Sequence, residues 1–183
     1  MEGEERSGDL AVFARTRRGG LAALIDGLGH GDGAAEAAEA AAEVIREHAD
    51  AGPHELLERC HAALRQTRGA VATLAWFDLE GGTLTWTGVG NVEARLVRAD
   101  DGASESPVVF GGVIGYTLPR VRPTTTPFGP GEAVVMITDG IEPTFSSALT
   151  PTDDAQALAE RIFARCGKGT DDALVVVVRH RGE

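Results

Sequence analysis

The sequence predicts an α+β fold in which helices cover mostly antiparallel sheets. Two short apolar runs at residues 9–16 and 20–26 are separated by the turn letters RRGG, which is typical of a hairpin. Three more β-rich runs follow one another within residues 70–100 without a helix between them. Because neighbouring strands that lack an intervening helix cannot build a doubly wound parallel sheet, we expect antiparallel sheets and separate helices.

Two helices are predicted between these groups of strands. The run at residues 32–50 is rich in Ala and Glu, which favour helix, and Asp32 is placed to cap it. Gly52 ends this helix, and Pro53 suits the first turn of the next one. The second helix is predicted to reach about Arg68, because its apolar residues recur at steps of three and four.

Most of the predicted strands lie after the second helix, in residues 70–179. Three β-rich runs there are joined by turn residues and predict an antiparallel meander at residues 70–79, 82–90 and 91–100. Residues 100–131 contain many Gly and Pro and are predicted to be irregular, near a substrate-facing edge. A buried strand, a helix and a final strand are then predicted at residues 132–140, 153–166 and 173–179.

Length, charge and cysteine content narrow the class of protein. A chain of 183 residues is expected to form a single domain over residues 1–183. The net charge of −11 argues against broad binding of nucleic acid, which requires a basic surface. Two cysteines cannot build a disulfide framework, and we find neither a leader nor a long apolar span. We therefore expect a cytoplasmic protein that is not anchored in a membrane.

Three aspartates occupy an unusual setting, because each lies at the end of a predicted buried strand. Asp26 ends LAALIDG, Asp139 ends VVMITDG, and Asp171 precedes DALVVVV. Converging carboxylates repel one another unless cations neutralise them, and Mg²⁺ or Mn²⁺ favours such oxygen ligands. Each Asp-Gly pair taken alone is also typical of a simple turn. The combination indicates a metal site, to which the Gly27 carbonyl can contribute because glycine permits close approach.

Other readings of the same segments are weaker. Gly29, Gly31 and Ala34 fit the dinucleotide pattern G-x-G-x-x-A, but Asp26 directly before this loop would repel a pyrophosphate. The letters GKGT at residues 167–170 do not have the spacing of a phosphate-binding P-loop. The cysteines, Cys60 among them, are expected to fill the core.

Six segments in order along the chain carry a resemblance to a known family. They are SGDL at residues 7–10, DGLGHG at 26–31, RGAVATLAWFD at 68–78, GVGNVEARL at 88–96, MITDGI at 136–141 and TDDALVVVV at 170–178. Together they resemble the motifs of PPM-type metal-dependent serine/threonine protein phosphatases. Within that superfamily the chain is most similar to the compact bacterial SpoIIE-like branch and its RsbX-like members.

This resemblance implies a four-layer αββα sandwich with a pair of divalent cations, Mn²⁺ or Mg²⁺, at one end. Asp26 would bridge both ions, and the Gly27 carbonyl would complete one site. Asp139 and Asp171 would bind the other ion, and Asp9 would hold bound water or contribute a further ligand. Two ions placed in this way would activate water and offset the charge of phosphoryl transfer, so no nucleophile from the protein is required.

The chain also departs from the family pattern. Leu28 stands where some members carry a histidine that can act as general acid, and His30, two residues later, is a candidate for that role or a solvated loop residue. Asn91 replaces the usual aspartate of a meander turn, which puts a third metal site in doubt. Asp172 is expected to support the ligands, and Arg6 is a candidate phosphate-binding residue by its position alone.

The resemblance implies a substrate as well as a reaction. RsbX-like proteins act in stress signalling by partner switching, so the expected partner is a phosphorylated STAS-domain protein or a similar signalling protein of a stressosome pathway. The competing hypothesis is a non-catalytic module that keeps the phosphatase fold and only binds phosphoproteins. The three strand-end aspartates favour the enzyme, since a pure scaffold does not require clustered carboxylates.

Overall fold

The computed structural model describes residues 6–100, 102–149 and 154–182. The strands in these ranges are β1 (Asp9–Thr16), β2 (Gly19–Gly27), β3 (Ala70–Asp78), β4 (Thr83–Val89), β5 (Glu93–Val97), β6 (Ser104–Glu105), β7 (Val109–Phe110), β8 (Thr124–Pro127), β9 (Ala133–Ile137) and β10 (Val175–Arg179). The α-helices are α1 (Asp32–Glu47), α2 (Pro53–Ala63) and α3 (Ala155–Cys166). Short 3₁₀ segments lie at Leu64–Gln66 and Pro143–Ala148.

The first sheet is built around the predicted N-terminal hairpin. Its strands β1, β2, β3 and β4 are antiparallel neighbours in that order, and both β7 and β8 pair with β4. Strand β2 is central and buried, because its apolar residues face helices on one side and the second sheet on the other. Residues 100–131 therefore contain more regular structure than predicted, since they supply β6, β7 and β8.

The predicted meander is wrong at its third strand. After β4 the chain leaves the first sheet, and β5 pairs with β9 and β6 in the second sheet, whose order is β10-β9-β5-β6. The crossing occurs at Gly90, whose φ of 97° and close contact with Val71 admit only glycine. The edge of β4 is occupied instead by β7 and β8, so β5 has no place beside it.

The layers follow the predicted αββα order. A first apolar cluster joins α1 and α2 to the outer face of the first sheet, and a second lies between the two sheets. A third cluster joins α3 to the outer face of the second sheet. Cys60 and Cys166 are both buried in these clusters as free thiols, which confirms their prediction as core residues.

The helix ends differ in detail from the prediction. Gly31, with φ of 71°, is the N-cap of α1, whereas Asp32 is already inside the first turn and forms no side-chain cap. The predicted cap at Asp32 was therefore wrong, and its charge lies in the first turn, where it favours the helix dipole. Helix α1 ends at Glu47 and α2 at Ala63, earlier than predicted. None of the helices in the described ranges has the length and apolar character needed to cross a bilayer.

Candidate active site

The first half of the site is a pair of facing strand ends. Asp9 begins β1 and lies opposite Asp26 in the antiparallel register with β2. Beyond this pair, the Gly27 N–H donates to the Gly8 carbonyl at 3.0 Å, so the two backbones remain in contact past the carboxylates. The hairpin therefore presents two acidic side chains at the same edge of the first sheet.

Gly27 allows helix α1 to pack directly against this edge. A Cβ added at Gly27 would lie 2.0 Å from the Ala34 carbonyl oxygen, which is within the first turn of α1. Only a residue without a side chain permits that approach. The sequence DGLGHG thus turns within a few residues from the end of β2 into a helix, and it leaves His30 exposed on the connecting loop.

The second half of the site comes from the other sheet. Asp139 lies in the turn that follows β9, and Asp171 and Asp172 lie in the bend that precedes β10. These two connections touch at Gly140, where an added Cβ would be 2.0 Å from the Asp172 carbonyl oxygen. Since β9 and β10 are antiparallel neighbours, the end of one and the start of the other meet at one edge.

The structure brings these carboxylates together at a single cavity of about 370 Å³. Its walls contain the predicted residues Asp9, Asp26, His30, Asn91, Asp139, Asp171 and Asp172. Leu28 and Gly29, which follow Gly27, also line it. Arg6 lies outside this cavity, in an adjoining depression that it shares with His30 and Asp171, and it is ion-paired with Glu39.

Hydrogen bonds tie the two halves of the site across the sandwich. The hydroxyl of the fully buried Thr138 donates to Asp9 Oδ2 at 2.6 Å and accepts the Leu174 N–H at 2.9 Å. The Asp172 carboxylate accepts the Gly8 N–H at 2.8 Å. The bonds from Thr138 to Asp9 and from Gly8 to Asp172 join the start of β1 to the β9–β10 edge, so the relative position of the carboxylates depends on both sheets.

Burial and the neighbouring charges make two of the carboxylates, Asp9 and Asp26, difficult to ionise. Partial burial is the main cause that raises the pKa of Asp26 to about 7, and the charges of Asp9, Asp139 and Asp171 add to the effect. Burial also raises the pKa of Asp9 to about 6, against the opposing effect of its hydrogen bond from Thr138. Negative charge is therefore concentrated where the surroundings do not compensate it.

The donor set fits hard divalent cations. The four predicted carboxylate ligands line the cavity and offer oxygen donors, which suits Mg²⁺ or Mn²⁺, whereas Gly27 is not among its lining residues. Bound cations would offset the repulsion that adds to the effect of burial on the pKa values of Asp9 and Asp26. Within the described ranges, no group of three or more acidic, histidine or cysteine side chains has the geometry to hold a metal ion.

The loop that carries His30 is held from outside the cavity. Arg68 donates from Nη1 to the His30 carbonyl at 3.2 Å, and its guanidinium packs so closely on Gly33 that an added Cβ there would lie 2.6 Å from Nε. The RGA segment singled out in the sequence thus has a physical role at the start of β3. Its arginine fixes the backbone of the loop between Gly27 and α1.

Two further residues near Asp139 were not predicted in their observed roles. Asn91 donates from Nδ2 to Asp139 Oδ2 at 3.1 Å, so the amide that replaces the usual aspartate orients a neighbouring carboxylate. Lys168 donates from Nζ to the Asp139 carbonyl at 2.6 Å. Nothing in the letters GKGT indicates this contact, because it depends on the bend before β10 folding back over the β9 turn.

The comparison with protein families agrees with this architecture. The chain belongs to the family "Stage II sporulation protein E (SpoIIE)", whose model matches residues 17–181. Among curated proteins, it is 24% identical over 177 residues to the phosphoserine phosphatase RsbX of Bacillus subtilis (strain 168), and the match covers 96% of this chain and 88% of RsbX.

Solved structures share the fold over nearly the whole chain. A chain in a structure described as "The bacterial stressosome: a modular system that has been adapted to control secondary messenger signaling" matches with a TM-score of 0.87 and 30% identity, covering 97% of this chain and 94% of that one. RsbX in complex with magnesium matches with a TM-score of 0.85 and 24% identity, covering 96% and 88%. The class is therefore that of the PPM-type, or PP2C-type, phosphoprotein phosphatases, as the sequence predicted.

Proposed function

We propose that this protein hydrolyses phosphoserine or phosphothreonine on a partner protein, with two divalent cations, Mn²⁺ or Mg²⁺, in the carboxylate cavity. One observation carries the proposal. Carboxylates from both sheets line a single cavity in which burial and repulsion raise the pKa values of Asp9 and Asp26. Such an arrangement is unfavourable for the protein alone and becomes favourable when cations bind.

Each residue of the cavity then has a distinct task. Asp26 would contribute to holding both ions, the Gly27 carbonyl would contribute to one of them, and Asp139 and Asp171 would hold the other. Asp9 would orient the attacking water or serve as a further ligand. When bound, the cations would supply a more acidic water and neutralise charge on the phosphoryl oxygens.

Groups around the ligands complete the reaction. Water attacks phosphorus, the bond from phosphorus to the serine oxygen breaks, and that oxygen takes up a proton. His30 lines the cavity on an exposed loop, so it is the side chain placed to donate this proton, unless water does so directly. Asp172, bonded to the Gly8 N–H, would support the ligands by holding β1 against the β10 bend.

The proposed substrate is a phosphorylated STAS-domain protein or a similar signalling protein of a cytoplasmic partner-switching pathway. Two similarities support this part. The relative RsbX is a phosphoserine phosphatase, and the 30% identical chain belongs to a structure of the bacterial stressosome.

The test is release of phosphate from a phosphoserine protein and from p-nitrophenyl phosphate, with and without Mn²⁺ or Mg²⁺. We expect activity only with the metal, and a fall of about 100-fold or more in Asp26→Asn and Asp139→Asn. The charge stabilisation that a metal supplies amounts to several kcal/mol, and each ~1.4 kcal/mol is a factor of ten in rate. Asp100→Asn is the matched control, because Asp100 is exposed and lies outside the carboxylate cavity.

Calorimetry with Mn²⁺ separates the enzyme from a non-catalytic module. The enzyme should bind the ion, and Asp26→Asn should weaken that binding while Asp100→Asn leaves it intact. Tight binding of a phosphoprotein without metal binding and without turnover would favour the module instead. Unchanged rates in Asp26→Asn and Asp139→Asn would show that the assigned centre is wrong.

A further inference from the structure

A tight turn at residues 113–117 forms part of the wall of the carboxylate cavity. The Val113 N–H donates to the Thr117 carbonyl at 3.0 Å, and the Thr117 N–H donates back to Val113 at 2.9 Å. The side of the turn at Val113 lines the cavity. Tyr116, three residues later, lies outside the cavity lining and leaves 64% of its surface exposed. The turn therefore joins the cavity to an exposed aromatic ring.

This turn is hydrogen-bonded to β3, the strand that pairs with β2, and β2 carries the predicted ligand Asp26. Ala70 and Ile114 exchange two backbone hydrogen bonds of 3.0 and 2.8 Å. On its other side, Ala70 pairs with Gly27 at the end of β2. The buried side chain of Ile114 and a bond of 3.0 Å from the Gly115 N–H to His61 Nδ1 anchor the turn further. Its position relative to the cavity is thus set by hydrogen bonds on both sides of β3.

Gly69 brings the tyrosine ring close to the cavity loop. Its φ is +74°, and an added Cβ would lie 2.9 Å from Tyr116 Cδ2 and 2.7 Å from the Ile114 carbonyl oxygen. The Gly69 carbonyl in turn accepts the N–H of Leu28 at 3.0 Å, and Leu28 lines the cavity. The ring therefore packs on one side of Gly69 while the cavity loop is bonded to that residue's carbonyl.

The exposed ring is held in place without being buried. The Tyr116 hydroxyl donates to the Thr67 carbonyl at 3.1 Å, so the side chain is fixed at both ends. A fixed aromatic ring loses little further conformational freedom when a partner covers it, and tyrosine is enriched among residues that dominate interface energies. Its exposed face offers apolar area next to a strongly polar cavity.

We propose that Tyr116 and Val113 form a docking surface for an apolar side chain of the substrate protein, within a few residues of its phosphoserine. The proposal rests on the phosphatase function proposed above and adds a determinant of its sequence selectivity. Because Val113 is part of the cavity wall, residues that flank a phosphoserine in the cavity would pass over it on the side that leads to Tyr116. The substrate chain is therefore the occupant that this continuity with the cavity favours.

The experiment uses short phosphoserine peptides of equal length and p-nitrophenyl phosphate, all with Mn²⁺. Every flanking position is alanine, except one that carries leucine, lysine or glutamate in turn. We expect the unmodified protein to prefer leucine at one flanking position. In Tyr116→Ala the ratio of kcat/KM for the leucine peptide to kcat/KM for the other peptides should fall about 10-fold, because KM for the leucine peptide rises. Hydrolysis of p-nitrophenyl phosphate, which has no flanking residues, should stay the same. Fluorescence anisotropy of the labelled peptides should show the same loss of binding.

Two variants serve as matched controls. Tyr116→Phe keeps the ring and should retain the leucine preference. Phe163→Ala removes another exposed aromatic side chain, which is 52% exposed on α3. It should change neither the leucine preference among the peptides nor the rate of p-nitrophenyl phosphate hydrolysis. Equal leucine preference in Tyr116→Ala and the unmodified protein, by rate and by anisotropy, would overturn the proposal. So would a dimer that dissociates in Tyr116→Ala with unchanged peptide selectivity, because the ring would then contact a second copy of the chain.

The two proposals fail in different ways. If the unmodified protein releases phosphate from neither substrate class, the phosphatase function is contradicted, whereas leucine-dependent peptide binding that requires Tyr116 would still support the docking surface. If p-nitrophenyl phosphate is hydrolysed and no peptide preference depends on Tyr116, only the docking surface is wrong.

Discussion

Asp9 and Asp26 lie directly opposite each other in the register of β1 and β2. Both are partly buried, and the charge of Asp9 is the second cause, after burial, that raises the pKa of Asp26 to about 7. The pKa of Asp9 is raised to about 6. The two acids therefore hold protons at a pH where aspartates in the unfolded chain have already lost them.

This relationship predicts an unusual pH dependence of stability in the absence of metal. The contribution of the two groups is fully present below the pKa of the unfolded aspartates, and it is lost as the pH rises through about 6 and 7. The melting temperature in the presence of a chelator should therefore fall between about pH 4 and pH 7, that is, between the unfolded and the folded pKa values. In Asp26→Asn, which cannot ionise, the fall should be smaller. A melting curve series that is equally steep in both proteins would contradict the assigned pKa values.

Removal of the Thr138 hydroxyl should lower stability through lost hydrogen bonds, without a change in packing. Thr138→Val keeps the shape of the side chain but removes the donor to Asp9 and the acceptor for the Leu174 N–H. We expect the free energy of unfolding to fall by about 1–3 kcal/mol, because buried polar groups lose their partners. The pKa of Asp9 should rise further, since the hydrogen bond from Thr138 lowers it.

Urea unfolding and carboxylate titration by NMR measure these two effects. Thr138→Ser keeps the hydroxyl and should preserve the pKa of Asp9. An equal pKa of Asp9 in the Val and Ser variants would show that the hydroxyl does not control that carboxylate.

A side chain at Gly140 should reduce activity because it would displace the turn that carries Asp139. In Gly140→Ala the new Cβ would meet the Asp172 carbonyl oxygen at 2.0 Å, so the turn that carries Asp139 must move away from the β10 bend. A displacement of about 1 Å at a catalytic site can cost roughly 100-fold in rate. The measurement is kcat for p-nitrophenyl phosphate, with a thermal melt to show that the variant is folded. Gly129→Ala is the control, because an added Cβ there meets nothing within 4 Å.

Arg68 predicts a positioning effect on the cavity loop. Arg68→Ala removes the guanidinium that donates to the His30 carbonyl and packs on Gly33. We expect kcat to fall by about 10-fold with little change in stability, because supporting contacts around a site typically contribute 10- to 100-fold. Arg68→Lys, which keeps a donor, should restore part of the rate. Hydrogen exchange should be faster in residues 28–31 of the Ala variant, and unchanged exchange there would contradict the role.

The local part of the site could be predicted from the sequence. An aspartate that follows an apolar run is visible in the letters at Asp26 and Asp139, and the adjoining glycines indicate a sharp change of direction. The structure brings these residues and Asp171 to one cavity. Their convergence could be expected only through the family resemblance, because local patterns do not show which strand ends meet.

The remaining features depend on contacts between distant segments. The run that forms β5 alternates polar and apolar residues over Glu93–Leu96, and this pattern does not show which sheet the strand joins. The short strands β7 and β8 occupy the edge of β4, which leaves β5 to the second sheet. Thr138 resembles any buried threonine until Asp9, which is 129 residues away, is placed beside it. Lys168 likewise acquires its contact with Asp139 only from the folded bend.

The origin of the carboxylates in both sheets has a consequence for the nascent chain on the ribosome. Asp9 and Asp26 are synthesised well before their partners Asp171 and Asp172, which lie directly before β10. A partial chain that stops before Asp171 lacks one wall of the cavity and the carboxylate that accepts the Gly8 N–H. One that stops before β10 lacks the strand that holds this bend beside β9. Phosphatase activity should therefore appear only once synthesis has passed β10, however much of the first sheet has already formed.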